Sequence, residues 1–565
     1  MDKKTWGDRL VPYPTERVLQ YTKSGDWGDA PTAQRFHEMA LRFPDRTAVV
    51  DPSGSLSYAE LDCRTDLMAA GLEELGIQVG DPVLFQVTNG LGCVLAWYAI
   101  LKCGAVPVAT LASHRGHEIG YISRKVGATA HLVDTDLPKF DLAGFAMDQA
   151  KDHPTLRHVL AIGSRLVDGA THLESLGNNV DPAQARARVE AIQSMLSPTD
   201  VAVFQLSGGT TGVPKVIPRL HAEYWNNALL YAKRLRRTEE ARVAHLAPLI
   251  HNAGILCGLH GAHSVGACLV LPPLETEAAL NFMANERVDD VLLGPASFQW
   301  PELPSYRALA HSLRTVVLSG TKVPLSVFAR VEELGAKVGQ LFGMSEGLCT
   351  TTDLEIPDDI RLAYVGSVLS SADEVRVLDP SSEEDLPPGK VGELACRGPY
   401  TITGYFDAPE HNRTAFTSDG FYRTGDLAKV DSINGVQYLS IEGRIKDVIN
   451  RGGEKINAEE VELLLLRHPG VAQAAVVAMP DSRLGERTCA FVVPVEGELT
   501  LSGVQDHFES LEVAKFKWPE RIVNVDLLPQ THVGKIDKKT LRGWISDPTM
   551  NPASVGSTEP LGKEA

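Results

Sequence analysis

One nine-residue segment carries the first chemical signal in this chain: Ser207-Gly208-Gly209-Thr210-Thr211-Gly212-Val213-Pro214-Lys215. Three glycines let a backbone come close to phosphate oxygens. The hydroxyls of Ser207, Thr210 and Thr211 supply hydrogen bonds, and Lys215 supplies positive charge. The segment follows an apolar run at 201–206, and its order differs from the Walker pattern GxxxxGK[ST]. A Gly/Ser/Thr run alone also suits a flexible surface loop. The Pro-Lys pair directly after it turns the reading toward phosphate binding.

Such a loop needs elements to hold it. Short β-rich apolar runs at 47–50, 82–87, 106–108 and 130–133 alternate with helical patterns, which predicts an α/β protein. Residues 58–75 read as an amphipathic helix, with apolar residues at Leu61, Leu67, Leu72 and Leu75 and Gly76 as the stop. Residues 94–101 read as a buried helix running into a glycine turn. The stretch 418–455 is dense in Gly, Asp and Arg. A different pattern follows it: a helix at 458–468, strands at 474–479 and 488–494, a helix to about Leu511 and a strand at 522–525. That describes a small α+β unit of roughly 100 residues, large enough to fold alone. The expected organisation is therefore an amino-terminal domain over 1–445, a carboxy-terminal domain over 446–545 with its hinge at Lys446, and a disordered Ser/Pro/Gly/Thr-rich tail over 546–565.

The bulk numbers agree with this plan. A chain of 565 residues exceeds one ordinary domain, and 44% apolar with 22% charged residues is ordinary globular composition. A net charge of −18 argues against nucleic acid as a main partner, because phosphate backbones need a basic face. The eight cysteines, at 63, 93, 103, 257, 268, 349, 396 and 489, form no CxxC pair and read as mostly buried small hydrophobes of a reducing compartment. The amino terminus has no apolar core, and the apolar run at 93–101 falls short of the ~20 residues that cross a bilayer. A cytoplasmic protein with no membrane contact is expected.

Further motifs follow the loop in order. They are Phe342-Gly343-Met344-Ser345-Glu346-Gly347, Tyr422-Arg423-Thr424-Gly425-Asp426, Gly443-Arg444-Ile445-Lys446-Asp447 continued by Asn450-Arg451-Gly452-Gly453-Glu454-Lys455, and Pro529-Gln530-Thr531-His532-Val533-Gly534-Lys535. Together they resemble the signatures of the adenylate-forming superfamily, which includes acyl-CoA synthetases, non-ribosomal-peptide adenylation domains and firefly luciferase. The resemblance covers about residues 30–545. It implies a large multi-subdomain amino-terminal adenylation domain and a small mobile carboxy-terminal α+β domain. It also implies ATP and Mg²⁺ as cofactors. Ser207, Gly208, Gly209, Thr210, Thr211, Gly212 and Lys215 would hold the phosphates, and Gly320, Thr321, Gln340 and Arg444 would complete the nucleotide site. Glu346, with Thr210, would hold the magnesium, and Asp426 would bind the two ribose hydroxyls. Lys535 would be the catalytic lysine, with His251 and the pivot Lys446 grouped beside it. Each role is physically sensible: one carboxylate matches two neighbouring hydroxyls, and a glutamate is the hard oxygen ligand that magnesium prefers.

The reaction so implied has two halves. A carboxylate oxygen attacks the α-phosphorus of ATP, giving an acyl-adenylate and pyrophosphate; a thiol then attacks the acyl carbon and expels AMP. Positioning and charge neutralisation are the protein's main tasks. Among adenylate-forming enzymes the chain most resembles stand-alone aryl-acid ligases for 2,3-dihydroxybenzoate and salicylate. There, an asparagine after a histidine bonds the ortho hydroxyl, which points to Asn252 after His251. An amide offering donor and acceptor suits a 2-hydroxy or a 2-amino acid. Cys257 stands where a serine pairs with a 3-hydroxyl, and a thiol rewards no second hydroxyl, which points to salicylate. Gly320, Ser345 and Cys349 are further candidates for the aryl site. Ala253-Gly254 replaces the subfamily's Tyr-Pro and should widen or reshape the pocket, which keeps 3-hydroxyanthranilate and hydroxylated heteroaryl acids open. No carrier segment follows Lys535, so the thiol is expected from a separate aryl carrier protein or from coenzyme A. An oxidative luciferase-like member and a non-catalytic binding relative are the rival classes; the second should have lost Lys535, Asp426 or Glu346, and all three are present.

Overall fold

A computed structural model describes residues 3–138, 140–207, 214–320, 323, 325–452, 454–531 and 534–546. Six of the candidate nucleotide residues, Gly208, Gly209, Thr210, Thr211, Gly212 and Thr321, lie outside the described residues, as does the expected tail beyond Ser546. Ser546 itself closes a helix, Lys538–Ser546.

Two large sheets carry the amino-terminal part. The first runs, in spatial order, Thr171–His172, His158–Ile162, Ala130–Asp134, Pro82–Gln86, Val106–Val108, Val201–Leu206 and Val216–Leu220. All its neighbours are parallel except the last pair, a hairpin that brackets the glycine-rich loop. The second has a parallel centre built from Thr47–Asp51, Cys268–Val270, Arg242–Ala244, Asp290–Leu293, Thr315–Ser319 and Lys337–Gly343, with antiparallel strands at both edges. Parallel strands covered on both faces read as continuous apolar runs, which is why the short runs above were legible.

Helices Tyr58–Glu74 and Leu91–Lys102 contribute to one apolar core that also takes residues from both sheets, including Val83, Phe85 and Leu132 from the first and Val49, Val243 and Leu269 from the second. Tyr58–Glu74 begins at a capping box, in which Ser57 accepts from the Glu60 amide while Glu60 accepts from the Ser57 amide. Leu91–Lys102 is buried from Cys93 onward, so it is apolar all round rather than amphipathic. Its last residue is a buried ammonium: Lys102 Nζ lies 2.6 Å from both Asp62 Oδ1 and Asp66 Oδ1. Those two aspartates on the facing helix let a lysine end a fully buried element.

An antiparallel sheet of Glu374–Leu378, Gly392–Arg397, Tyr422–Ile433 and Val436–Arg444 follows. The chain then passes through the short turn Ile445–Asp447 into a last sheet of Glu454–Asn457, Val448–Arg451, Gly485–Pro494, Val471–Asp481 and Arg521–Asn524. Helices Ala458–Leu466 and Leu501–Ser510 pack on that sheet through Val461, Leu465, Val504 and Phe508, a core separate from the others. Among the described residues, no helix is long and apolar enough to cross a membrane.

Candidate active site

The motifs sit where elements end. Ser207 follows Val201–Leu206 and Lys215 precedes Val216–Leu220. The two ends of the loop are tied together: Ser207 N donates to Lys215 O at 2.9 Å, and Lys215 N donates to Ser207 Oγ at 3.0 Å. The Lys215 ammonium lies 5.7 Å from the Tyr405 ring centre.

Glu346 follows strand Lys337–Gly343 and is not a solvated carboxylate. It is 8% exposed, and its Oε1 accepts from Tyr405 OH at 2.6 Å. A carboxylate only accepts, so Tyr405 is the donor there, and Tyr422 OH, 2.9 Å away, donates in turn to Tyr405. The next residue explains the tight backbone. Gly347 has φ +132°, and a Cβ there would lie 1.5 Å from the Tyr400 carbonyl oxygen. Only glycine lets this segment pack on residues 400–402, where Ile402 N donates to Glu346 O at 2.9 Å.

Asp426 and Arg444 face each other in the register of strands Tyr422–Ile433 and Val436–Arg444. The register slips between Leu427 and Ala428, beside the aspartate, as bulges near functional positions often do. Arg444 Nε donates to Asp426 Oδ1 at 2.7 Å. Burial raises the Asp426 pKa, against the opposing pull of Arg444, Lys535 and Lys446.

Lys535 ends a tight turn: Thr531 N donates to Lys535 O at 2.6 Å and Lys535 N to Thr531 Oγ1 at 3.2 Å. Water still reaches the residue. Its ammonium nevertheless stands in the fields of Arg444, Asp426 and Glu346, and its pKa is lowered, by surrounding protein mass first and Arg444 second. The carboxy-terminal unit thus sets its lysine within electrostatic reach of the two carboxylates of the preceding part. Asn457 Nδ2 donates to Glu442 O, and Arg542 pairs with Asp447, so both flanks of the turn Ile445–Asp447 are held. Within that turn the Lys446 side chain is exposed, and its pKa is lowered by partial burial and by Arg444.

His251 in turn lies in the field of Lys535, and its pKa falls to about 4, by burial first and then by that ammonium. The Ala253 N–H points at His251 Nδ1 at 3.3 Å. A backbone amide can only donate, so the neutral ring carries its proton on Nε2. Asn252, 6% exposed, has its Oδ1 within 3.1 Å of Arg219 Nη1 and 3.0 Å of Tyr224 OH, and its Nδ2 3.2 Å from Met344 O. The expectation of an amide offering both donor and acceptor is corrected here: the oxygen is already filled by two donors. Ser345 contributes its carbonyl to the same group, 3.1 Å from Arg219 Nη1.

Cys257 and Cys349 share one apolar cluster with Tyr231, Leu256, Val317 and Leu341. Burial pushes the Cys257 thiol up to about 12, so it stays neutral. Ala253-Gly254 does not simply open space. Gly254 begins a π-helical turn, Gly254–Leu259, and a Cβ on it would lie 2.3 Å from the Leu249 carbonyl oxygen. Backbone occupies that side, so widening is limited to Ala253. Gly320 has φ +100° at the end of strand Thr315–Ser319 and is exposed.

Gln340 requires a second correction. Its Nε2 lies 3.2, 3.0 and 3.0 Å from the carbonyls of Arg361, Leu362 and Tyr364. That amide nitrogen stitches the sheet to a neighbouring segment rather than facing a nucleotide. Sequence reasoning missed Tyr405, Arg219, Glu223 and Tyr224. The local signal was an arginine in an otherwise apolar strand, four residues before a glutamate in the helix that follows.

Residues 36–406 match the model of the AMP-binding enzyme family, and residues 460–535 match the AMP-binding enzyme C-terminal domain. The chain is 40% identical to a Streptomyces protein named salicylyl-CoA synthase / salicylate adenylyltransferase, over 94% of this chain and 97% of that one. It is 38% identical to the salicyl-AMP ligase / salicyl-S-ArCP synthetase of Mycobacterium tuberculosis, over 94% of each. The apo structure of Mycobacterium smegmatis MbtA superposes with a TM-score of 0.70 at 35% identity, covering 94% of this chain and 98% of that one.

Proposed function

We propose that this chain, which belongs to the AMP-binding enzyme family, is a cytoplasmic aryl-acid ligase that adenylates salicylate and passes the salicyl group to the phosphopantetheine thiol of a separate carrier protein. The observation that carries the reading is the electrostatic coupling of Lys535 to Asp426, Glu346 and His251, with Asn252 next to His251 in the chain. The names of the two similar ligases support the aryl acid, and they divide between coenzyme A and a carrier protein as acceptor.

In this reading Asp426 takes the ribose hydroxyls and the loop between Ser207 and Lys215 takes the phosphates. The Lys535 ammonium sits between the acid's carboxylate and the α-phosphate, and offsets the charge that gathers as they meet. Asn252 Nδ2 donates to the ortho oxygen of the acid. Neutral His251 offers Nε2–H without adding charge. Glu346 is the residue that fits magnesium, since Tyr405 occupies only its Oε1; magnesium commonly binds through one or two carboxylates plus substrate phosphates. When bound, the ion supplies charge neutralisation at the phosphates. Attack on the α-phosphorus releases pyrophosphate; attack of the thiolate on the acyl carbon then releases AMP. Lys446 serves as the pivot between two orientations of the unit from 446 to 545.

Acid-dependent ATP–pyrophosphate exchange tests the reading, with salicylate, 2,3-dihydroxybenzoate, benzoate, 3-hydroxyanthranilate and 3-hydroxypicolinate. Highest kcat/KM with salicylate is the expected result. Exchange with none of them would refute the aryl assignment. Single-turnover transfer from the adenylate to a carrier protein or to coenzyme A then decides the acceptor.

A further inference from the structure

Beneath Asn252 lies a buried polar network that the proposed chemistry does not use directly. Arg219 and Glu223 are fully buried and paired at both ends of the fork: Nε to Oε1 at 2.7 Å and Nη2 to Oε2 at 2.7 Å. The remaining amine, Nη1, reaches Asn252 Oδ1 and the Ser345 carbonyl, each at 3.1 Å. Tyr224 OH is the second donor to Asn252 Oδ1, at 3.0 Å. Gln205 Nε2 sits 3.1 Å from Ile250 O and 3.0 Å from Tyr224 OH. A carbonyl only accepts, so that Gln205 atom is the nitrogen, and it donates to the Tyr224 oxygen as well. The single Tyr224 hydrogen is therefore directed to Asn252.

These bonds settle the direction of the Asn252 amide. Its oxygen faces a guanidinium and a phenol hydrogen, both donors, and its nitrogen faces the Met344 carbonyl. Turning the amide over would set donor against donor at two contacts and acceptor against acceptor at the third. Both lone pairs of Oδ1 are taken. One Nδ2 hydrogen goes to Met344 O, and among the described residues nothing takes the other. Glu223 neutralises Arg219, so the pair orients its neighbour rather than attracting the acid. Burial alone would lower the Arg219 pKa, but the carboxylate outweighs it and raises it, so the fork stays charged.

We infer that Arg219, Glu223 and Tyr224 are positioning residues that fix Asn252 as a pure hydrogen-bond donor, so that the pocket selects aryl acids whose ortho group accepts a hydrogen bond. A phenolic oxygen meets this demand, because it can turn its own hydrogen to the neighbouring carboxylate and present a lone pair. An aniline nitrogen does not, because its lone pair is delocalised into the ring. The inference rests on the reading of Asn252 as the ortho contact, and it excludes anthranilate-type acids that the sequence left open.

The test measures kcat/KM in pyrophosphate exchange for salicylate, anthranilate and benzoate. The wild type should favour salicylate over anthranilate by at least about tenfold. Two variants loosen the network: Tyr224→Phe, which deletes one hydroxyl, and the double change Arg219→Met with Glu223→Met, which removes both buried charges together. In each, the salicylate-to-anthranilate ratio should fall by about fivefold or more, while benzoate activity holds within about threefold. A purely structural role would lower all three acids alike and leave the ratio unchanged, which would overturn the inference. Wild-type enzyme that uses anthranilate as well as salicylate would also overturn it. Asn252→Leu separates the two levels. If it leaves the salicylate-to-benzoate ratio unchanged, the ortho contact itself is wrong. If it collapses that ratio while Tyr224→Phe leaves salicylate against anthranilate intact, only the positioning network fails. Should the double variant not fold, Tyr224→Phe alone decides.

Discussion

With Asp426 holding the ribose, as proposed, replacing it by Asn tests one step of nucleotide binding. A carboxylate has about four acceptor sites, and Arg444 Nε occupies one on Oδ1 at 2.7 Å. That leaves room for both ribose hydroxyls. In the Asp426→Asn variant the amide nitrogen accepts nothing, so one ribose bond is lost and the other loses its charge. A hydrogen bond to a charged group contributes about 1.5–3 kcal/mol, so the change should cost roughly 2–4 kcal/mol of ATP binding. That corresponds to about a 30- to 1,000-fold rise in KM for ATP. The ribose takes no part in the chemistry, so the loss is the same in ground and transition states and kcat should hold within about threefold. Arg444 is 49% exposed, so water replaces its lost partner and stability should change little. The assay is initial-rate pyrophosphate release against ATP concentration at saturating salicylate, with thermal melting as the fold control. An unchanged KM with a large fall in kcat would refute the argument, because Asp426 would then act on the reacting groups through Arg444.

Two further outcomes are expected. Lys535→Ala should lower adenylate formation by about 10²- to 10³-fold with an unchanged melting temperature, the size seen when one preorganised charge-stabilising donor is removed; normal exchange in that variant would refute the mechanism. Stability should fall steeply in mild acid. Burial lowers the pKa values of His131 and His245 to about 3 and those of His221 and His263 to about 4. Their unfolded values lie near 6.5, so the unfolded chain binds the extra protons: the stabilisation is complete above about pH 6.5 and is lost as the pH falls toward the folded values. Each histidine gives a slope up to about 1.4 kcal/mol per pH unit, so moving from pH 7.5 to 5.5 should cost on the order of 5 kcal/mol. Equal urea midpoints at the two pH values would contradict this.

Much of the scaffold was legible because its periodicities are local. The run at 82–87 and the helix at 58–75 emerge as Pro82–Gln86 and Tyr58–Glu74, ending within a residue of expectation. The carboxy-terminal order of helix and strand also follows the sequence pattern, with strands Val471–Asp481 and Gly485–Pro494 longer than expected because they pair with each other along their length. The convergence of Asp426, Glu346 and Lys535 could be named from the motifs, but residue spacing alone does not yield it, since each residue belongs to a different element. Contacts across the chain left no local trace. Gln340 departs from its expected role because nothing in its neighbourhood announces three carbonyls from 361–364. Arg219 and Asn252 meet only after two elements fold together, and the space at Gly254 is set by the Leu249 backbone rather than by the side chains that the sequence lacks there.

The phenol relay from Tyr422 through Tyr405 to Glu346 joins two signatures that look independent on paper. One carries Glu346, the proposed magnesium ligand; the other, on the Tyr422–Ile433 strand, carries Asp426. Because the Tyr422 hydroxyl reaches the Glu346 carboxylate only through Tyr405, loss of either tyrosine hydroxyl breaks the link between the two signatures. Descendants of this fold that abandon the cation would be free to lose Tyr405 and Tyr422 together, so the two tyrosines should be inherited or discarded as a pair.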